Sequence, residues 1–114
     1  MAKEGRDPIG KRRRAKQERI AAALGQAGFA LPGTVLVRSY ACGKEYCRCH
    51  ADPPRLHGPY IQWTRKVGRK TVTRRLTDEE WERYREWFDN AKRLRQLLSD
   101  LEALSMEAFD NDTR

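Results

Sequence analysis

Three cysteines and one histidine carry the clearest chemistry in this sequence. Cys42, Cys47 and Cys49 lie within eight residues, the chain has no other cysteine, and His57 follows shortly afterwards. Thiolate sulfur and neutral imidazole are the donors that suit a tetrahedral Zn²⁺ ion. One Cys3His set fills all four positions of such an ion, and a filled site is structural rather than catalytic. The spacing therefore predicts a structural Zn²⁺ that stabilises the fold.

A second histidine, His50, competes with His57 for the fourth position. His50 directly follows Cys49, and neighbouring residues rarely both reach one ion, whereas His57 lies at the start of a predicted strand. These considerations favour His57. Iron is the alternative metal. Three ordinary buried thiols with a solvated His50, or a nucleophilic Cys47 with a histidine partner, are the alternatives to a metal site. No H-x-E sequence accompanies the cysteines, so the zinc deaminase pattern is absent. We predict that the protein is not an enzyme.

The composition indicates a small core. Only 39% of the 114 residues are hydrophobic and 35% are charged, so a metal that binds only the folded state would add useful stability. A chain of this length suits one domain. We predict a flexible basic tail at residues 1–10 and a single zinc-stapled domain at 11–114.

The sequence contains no segment that suits a membrane or export. No stretch approaches the roughly 20 apolar residues of a membrane span, and no apolar region follows the first basic residues. We expect a cytoplasmic protein without a membrane partner. Thiols stay reduced in the cytoplasm, and an odd number of cysteines also argues against a disulfide framework.

Charge is distributed unevenly along the chain, which has a net charge of +8. Residues 1–19 have a net charge of +5, residues 38–76 of +8, and residues 77–114 of −5. Basic segments of this kind are expected to contact a polyanion, and the acidic segment is expected to contact a different kind of partner.

Periodicity predicts an α+β fold. We predict a helix over 11–27, strands over 34–40, 59–65 and 70–76 in an antiparallel meander, and a long helix over 78–108. The cysteine loop joins the first two strands. Thr77 and Glu80 form a capping-box pattern that marks the start of the last helix.

Two basic clusters could contact phosphates, and DNA is favoured over RNA as the ligand. The aromatic rings of Tyr60 and Trp63 accompany the second cluster and could stack on bases. An ordinary solvated surface is the alternative for each cluster, and a place in the core is the alternative for Trp63. The first cluster comprises Arg12, Arg13, Arg14 and Lys16, and the second comprises Arg65, Lys66, Arg69, Lys70, Arg74 and Arg75.

The last helix carries an apolar seam with the alternating three- and four-residue steps of a coiled coil. Its predicted length exceeds what a three-stranded sheet can cover, so the rest of it should pack on the first helix, on a second copy or on a partner protein. Ordinary core packing is the alternative for the seam. An adaptor that docks through this helix in a larger nucleoprotein assembly is therefore the alternative function. The predicted partner-binding residues are Trp87, Leu94, Leu98 and Leu101.

Several short motifs together resemble a family of small uncharacterised bacterial proteins. The motifs are LPG at 31–33, CGK at 42–44, CxC at 47–49 and HGPY at 57–60, followed by an aromatic strand, a basic strand and a helix. The resemblance covers about residues 31–104 and does not extend to the basic N-terminal segment. It implies that the histidine of HGPY is the fourth ligand. Members of the family tend to lie near mobile elements, which implies a role with nucleic acid.

Overall fold

The computed structural model describes Asp7 and residues 9–114, and most of the predicted tail at 1–10 lies outside these residues. The elements confirm the predicted α+β fold of a helix, a three-stranded antiparallel sheet and a long second helix. In chain order they are α1 (Gly10–Gly25), β1 (Thr34–Tyr40), a 3-10 helix (Arg48–His50), β2 (His57–Val67), β3 (Lys70–Leu76) and α2 (Asp78–Thr113).

Two elements are longer than predicted. β2 begins at His57 because this residue pairs with Tyr40 of β1, and it ends at Val67, which pairs with Lys70 of β3. α2 continues past 108 to Thr113, since no Gly or Pro interrupts it. β2 is longer because residues on the neighbouring strands pair with its ends. α2 is longer because its local backbone hydrogen bonds continue.

The described residues divide into two compact units, each of which is described here by itself. One unit is Leu31–Phe88, which contains the sheet, the cysteine loop and the first three turns of α2. The other contains α1 and the segment Asp89–Arg114. The prediction of one domain over 11–114 stays a prediction.

One face of the sheet forms the core of the unit Leu31–Phe88. Trp63 of β2 packs edge-on against Phe88 of α2, with ring centroids 5.4 Å apart, and its indole N–H donates to the carbonyl of Pro32 at 2.8 Å. The Trp81 ring stacks on Phe88 at 5.9 Å. Leu76 of β3 is buried on the same side. Trp63 therefore packs in the core, which is one of the two interpretations that the sequence left open for it, and it does not present its ring to nucleic acid.

The opposite face of the sheet is mostly polar and largely exposed, with Leu36 as an exposed apolar residue opposite Gln62. Strand residues alternate between faces, and direct pairing places Arg38 beside Tyr60 and Thr64 beside Thr73 on this second face. The hydroxyl oxygens of Thr64 and Thr73 lie 3.1 Å apart. The sheet is therefore amphipathic, with one face against the first turns of α2 and one face polar.

The predicted capping box starts α2. The Thr77 hydroxyl accepts the Glu80 N–H at 3.0 Å, and the Glu80 carboxylate accepts the Thr77 N–H at 2.9 Å. Arg74 of β3 also donates to Glu80 at 2.6 Å. These bonds satisfy backbone donors that a helix start leaves without partners, and they fix the transition from β3 into α2.

The second unit is an antiparallel pair of helices. Arg13 near the start of α1 forms an ion pair with Glu107 near the end of α2 at 3.2 Å. At the opposite end, the Asn90 side chain donates to the carbonyl of Phe29 at 2.8 Å. The buried apolar residues of this unit are Ile20, Ala27, Ala91 and Leu104.

Among the described residues, neither helix combines the length and the apolar character that crossing a bilayer requires.

Candidate metal centre

The structure brings the four predicted ligands together. The ligand atoms of Cys42, Cys47, Cys49 and His57 all lie within 4.8 Å of one another. Cys49 is the most deeply placed, with 2% of its surface exposed. No carboxylate joins this group in the part of the chain that the structure describes. The cluster could bind one metal ion through three sulfurs and one nitrogen.

The closest ligand separations match the edges of a tetrahedral site. Zinc–sulfur bonds of about 2.3 Å and zinc–nitrogen bonds of about 2.0 Å imply separations of about 3.8 Å between two sulfurs and about 3.5 Å between sulfur and nitrogen. The Cys42 and Cys49 sulfurs lie 3.6 Å apart, and the Cys47 sulfur lies 3.2 Å from His57 Nε2. The donor set therefore fits a four-coordinate ion after only small movements.

Backbone hydrogen bonds shape the loop that carries the cysteines. The Cys47 N–H donates to the carbonyl of Lys44 at 3.1 Å, which closes a turn between the first two ligands. The Arg48 carbonyl accepts the N–H groups of Ala51 and Arg55 at 3.1 and 3.0 Å. These bonds fold a segment that periodicity left without structure, and they direct Cys47 and Cys49 to one point.

His57 and His50 differ in what their rings contact. His57 begins β2 and points its Nε2 at the Cys47 sulfur. The His50 Nε2 lies 2.6 Å from the carbonyl oxygen of Cys42, so it ties the loop together from outside the sulfur cluster. The arrangement agrees with the preference for His57 as fourth ligand and gives His50 a separate structural contact.

The two cysteines of the CxC segment have opposite pKa shifts. The pKa of Cys47 falls to about 6, chiefly because the backbone N–H of Cys49 donates to its sulfur, and because the Cys49 side chain adds a further hydrogen bond. Burial raises the pKa of Cys49, although the Cys42 N–H donates to its sulfur at 3.2 Å. A bound cation would favour all three thiolates.

Gly58, directly after His57 in β2, has a backbone conformation that favours glycine. Its φ is +109°, and a Cβ at this position would lie 2.8 Å from the carbonyl oxygen of Arg38. Only glycine adopts this conformation without strain. Gly43 in the same loop differs, since a Cβ there would meet nothing within 4 Å.

A family described as a domain of unknown function (DUF6788) matches residues 7–86. The chain belongs to this family. The match begins 24 residues before the expected start at 31, so it includes most of the basic segment that the sequence-based resemblance left out. It also contains all four candidate ligands. No curated protein and no solved structure matches the chain.

Three of the predicted phosphate-binding residues are engaged by carboxylates. Arg14 lies 3.4 Å from Asp7, Arg13 is paired with Glu107 as described above, and Arg74 is held by the capping box. The guanidinium of Arg65 lies 4.2 Å from the ring centre of Trp63 on the helix-facing side. These four residues therefore have structural contacts within their own units.

The remaining predicted cations are exposed and have no ion pair among the described residues. Arg75 differs from the others because its guanidinium lies 3.6 Å from the ring centre of Tyr60. The sequence analysis also missed Arg38 and Tyr40, which lie next to Tyr60. Both residues lie at the end of the predicted first strand, directly before the cysteine loop, and this position was the signal in the sequence that could have identified them. The exposed predicted cations are Arg12, Lys16, Lys66, Arg69, Lys70 and Arg75.

The predicted partner-binding residues of α2 differ in exposure. Leu98 has 52% of its surface exposed, whereas Trp87, Leu94 and Leu101 are half-buried. The Trp87 ring packs edge-on against Tyr84 at 5.0 Å. Beyond the predicted seam, Met106 and Phe109 are 55% and 60% exposed, so the exposed apolar stripe of α2 lies nearer its C-terminal end than predicted.

Proposed function

We propose that this protein is a zinc-stabilised nucleic-acid-binding accessory or regulatory protein, with DNA favoured over RNA, and not an enzyme. In this proposal Cys42, Cys47, Cys49 and His57 hold a structural Zn²⁺. We also propose an association with a mobile element, since the motifs resemble a family whose members tend to lie near such elements. The zinc ion would fix the loop between β1 and β2, and the basic residues would bind phosphates.

The donor chemistry supports zinc in a structural role. Three thiolates and one imidazole complete a tetrahedral site, so no position stays open for water or substrate. The absence of a carboxylate beside the described ligands also leaves no general base next to such an ion. Zinc and its ligands would then tie the end of β1 to the start of β2.

The charge of the sheet is the observation that carries the nucleic-acid proposal. Its three strands contain six Lys or Arg residues and no Asp or Glu. Arg74 is paired with Glu80 of α2 and Arg65 packs on Trp63, but the other strand cations have no neighbouring strand acid that would neutralise them, so they attract phosphates. Lys66, Arg69 and Lys70 extend this basic character around the turn between β2 and β3, where all three are exposed.

Salt dependence of binding tests the proposal. Fluorescence anisotropy with a labelled duplex at about 50–300 mM KCl should give an affinity that falls steeply with salt, because phosphate contacts release counterions. Lys66→Gln and Arg69→Gln should each weaken binding and reduce the slope of log K against log salt by about 1. Arg83→Gln removes the same charge from the acidic part of the chain and should leave the slope unchanged.

The proposal is wrong if the metal-loaded wild type binds no nucleic acid, single- or double-stranded, at about 50 mM KCl. It is also wrong if the Lys66, Arg69 and Arg83 variants all change the slope equally. Binding would then depend only on the net charge of the chain and not on the basic residues near the sheet.

The exposed stripe of α2 favours a second candidate function, docking of another protein chain. Leu98, Met106 and Phe109 present apolar surface, and exposed apolar stripes of this kind often bind partners. Lys92 and Arg95 lie before the stripe and Asp110 lies after it, so antiparallel pairing of two copies would place opposite charges together. A homodimer would give an adaptor two nucleic-acid-binding surfaces.

A further inference from the structure

Two tyrosines and one arginine form a cluster on the polar face of the sheet. The rings of Tyr40 and Tyr60 lie 5.5 Å apart at 44°. The Arg75 guanidinium lies over Tyr60 at 3.6 Å from its ring centre and donates to the Tyr40 hydroxyl at 2.6 Å. The three planar groups thus hold one another in place before any ligand arrives.

This cluster faces solvent. Tyr40 is 40% exposed and Arg75 is exposed, while Tyr60 is half-buried. The equivalent cluster on the other face, Arg65 over Trp63, has a buried guanidinium nitrogen and packs beside the first turns of α2. Of these two cation–π pairs, only the one on the polar face can therefore contact a large ligand.

The surroundings of the cluster suit an anionic and planar ligand. Arg38 pairs with Tyr60 in the sheet, and Lys66 lies on the same face further along β2. Neither these two residues nor Arg75 has an ion pair with a carboxylate among the described residues. Gln62 lies between Tyr60 and Thr64 on that face and offers a donor and an acceptor to a base edge.

Stacking surfaces of this kind select unpaired bases. A base in a duplex already stacks on its neighbours, so its faces are not available to protein side chains. A base in a single strand can place its ring on tyrosine or on an arginine plane, while nearby cations hold the phosphates. The preformed Tyr60–Arg75 stack would lose little side-chain freedom on binding.

We propose that Tyr40, Tyr60 and Arg75 form a stacking subsite for unpaired bases of single-stranded nucleic acid. This inference rests on the proposed nucleic-acid function and specifies its ligand as a single strand. DNA and RNA strands share the stacking chemistry, and the Gln62 side chain contributes a polar contact beside the stacked base.

Binding by the metal-loaded, full-length protein tests the subsite. Labelled single-stranded DNA, single-stranded RNA and duplex DNA, each of about 15 nucleotides or base pairs, cover the range of sites that such surfaces occupy. We expect at least about fivefold tighter binding of a single strand than of the duplex. The two single-strand arms identify which of DNA and RNA is the ligand.

Variants separate stacking from charge. Tyr60→Leu should weaken single-strand binding by about fivefold or more with an unchanged salt slope, whereas Tyr60→Phe should retain binding. Lys66→Gln should instead reduce the slope by about 1. Tyr46 is 99% exposed in the cysteine loop, so Tyr46→Leu is the matched control and should leave the affinity unchanged.

A measurement on the wild type covers the case in which a tyrosine variant fails to fold. Strands that carry 5-iodouracil crosslink under ultraviolet light to aromatic rings stacked on them, and mass spectrometry locates the attachment. Crosslinks at Tyr40 or Tyr60 support the subsite. Crosslinks confined to other residues overturn it, as does duplex binding that equals single-strand binding with Tyr60→Leu unaffected. In those two results the proposed nucleic-acid function stands. A wild type that binds neither single strands nor the duplex overturns both the subsite and the proposed nucleic-acid function.

Discussion

At the residue scale, the candidate metal centre depends on a few backbone contacts that place four side chains at one point. The carbonyl of Arg48 anchors the loop, the N–H of Cys49 lowers the pKa of Cys47 to about 6, and His50 binds a carbonyl rather than a sulfur. Backbone hydrogen bonds of the loop therefore position the candidate ligands. Changes to single residues can separate the ligands from the residues that only shape the loop.

Replacement of one ligand should remove the metal. We expect elemental analysis of the purified wild type to find one zinc per chain, and Cys47→Ser to lose it because oxygen replaces a thiolate donor. The unfolding temperature of Cys47→Ser should fall by on the order of 10 °C or more, since the metal stabilises only the folded state.

His50→Gln is the control for that experiment, because a glutamine side chain would still offer a polar group near the Cys42 carbonyl while the imidazole is removed. This variant should keep one zinc per chain. Loss of zinc from the His50 variant and retention of zinc by a His57→Gln variant would contradict the ligand assignment.

A methyl group at Gly58 should destabilise the protein. Gly58→Ala places a Cβ at a φ of +109° and 2.8 Å from the Arg38 carbonyl oxygen, so we expect a loss of about 1–3 kcal/mol in the free energy of unfolding. Denaturant titration by circular dichroism measures it. Gly43→Ala, where the space is open, should change stability by less than about 0.5 kcal/mol. Equal effects of the two changes would contradict the steric explanation.

At the element scale, the start of α2 combines a sequence motif with a contact from another strand. The capping box follows from Thr77 and Glu80 and was predicted in full from the sequence. The contribution of Arg74 was not predictable, because it depends on where β3 ends relative to the helix. The Thr77 N–H and, to a smaller degree, Arg74 lower the pKa of Glu80 from its ordinary value of 4.5.

This shift predicts how stability depends on pH. Because the pKa of Glu80 is lower in the folded state than in the unfolded state, its carboxylate stabilises the folded protein fully above about pH 4.5. This stabilisation disappears as the pH falls through the lowered pKa. Glu80→Gln should therefore lower the unfolding temperature at about pH 7, and its difference from the wild type should shrink in acid. Glu79 is an exposed carboxylate of the same turn, outside the capping box, and Glu79→Gln should change the unfolding temperature little at about pH 7. A difference that stays constant down to about pH 3 would contradict the assignment.

At the scale of the whole molecule, the chain separates basic and acidic segments along its sequence. The strands carry no acidic residue, while α2 carries most of the acids. The family match over 7–86 contains the basic part and the candidate metal centre and ends within α2. We therefore expect the nucleic-acid function to depend on the matched part and self-association to depend on the end of α2.

Self-association through α2 can be tested by sedimentation equilibrium. We expect a reversible dimer in the wild type and a monomer in Leu98→Asp, since an aspartate cannot be buried in an apolar interface without a large cost. Ser99→Asp adds the same charge one residue further along, at an exposed position, and should stay dimeric. A wild type that is monomeric at high micromolar concentration would contradict the prediction.

The sequence by itself determined the kinds and the order of the elements and a candidate ligand set. Alternating β-branched residues specified β1 and β3 at their observed bounds, the capping box specified the start of α2, and thiolate and imidazole chemistry specified the candidate ligands. These features depend on residues that are near one another in the chain, or on donor chemistry that is independent of the fold. Only the tertiary structure decided that Trp63 packs in the core while the cluster of Tyr40, Tyr60 and Arg75 lies on the solvent-facing side of the sheet. The reason is that the register of the strands and the packing of α2 on one face of the sheet decide which side chains are covered.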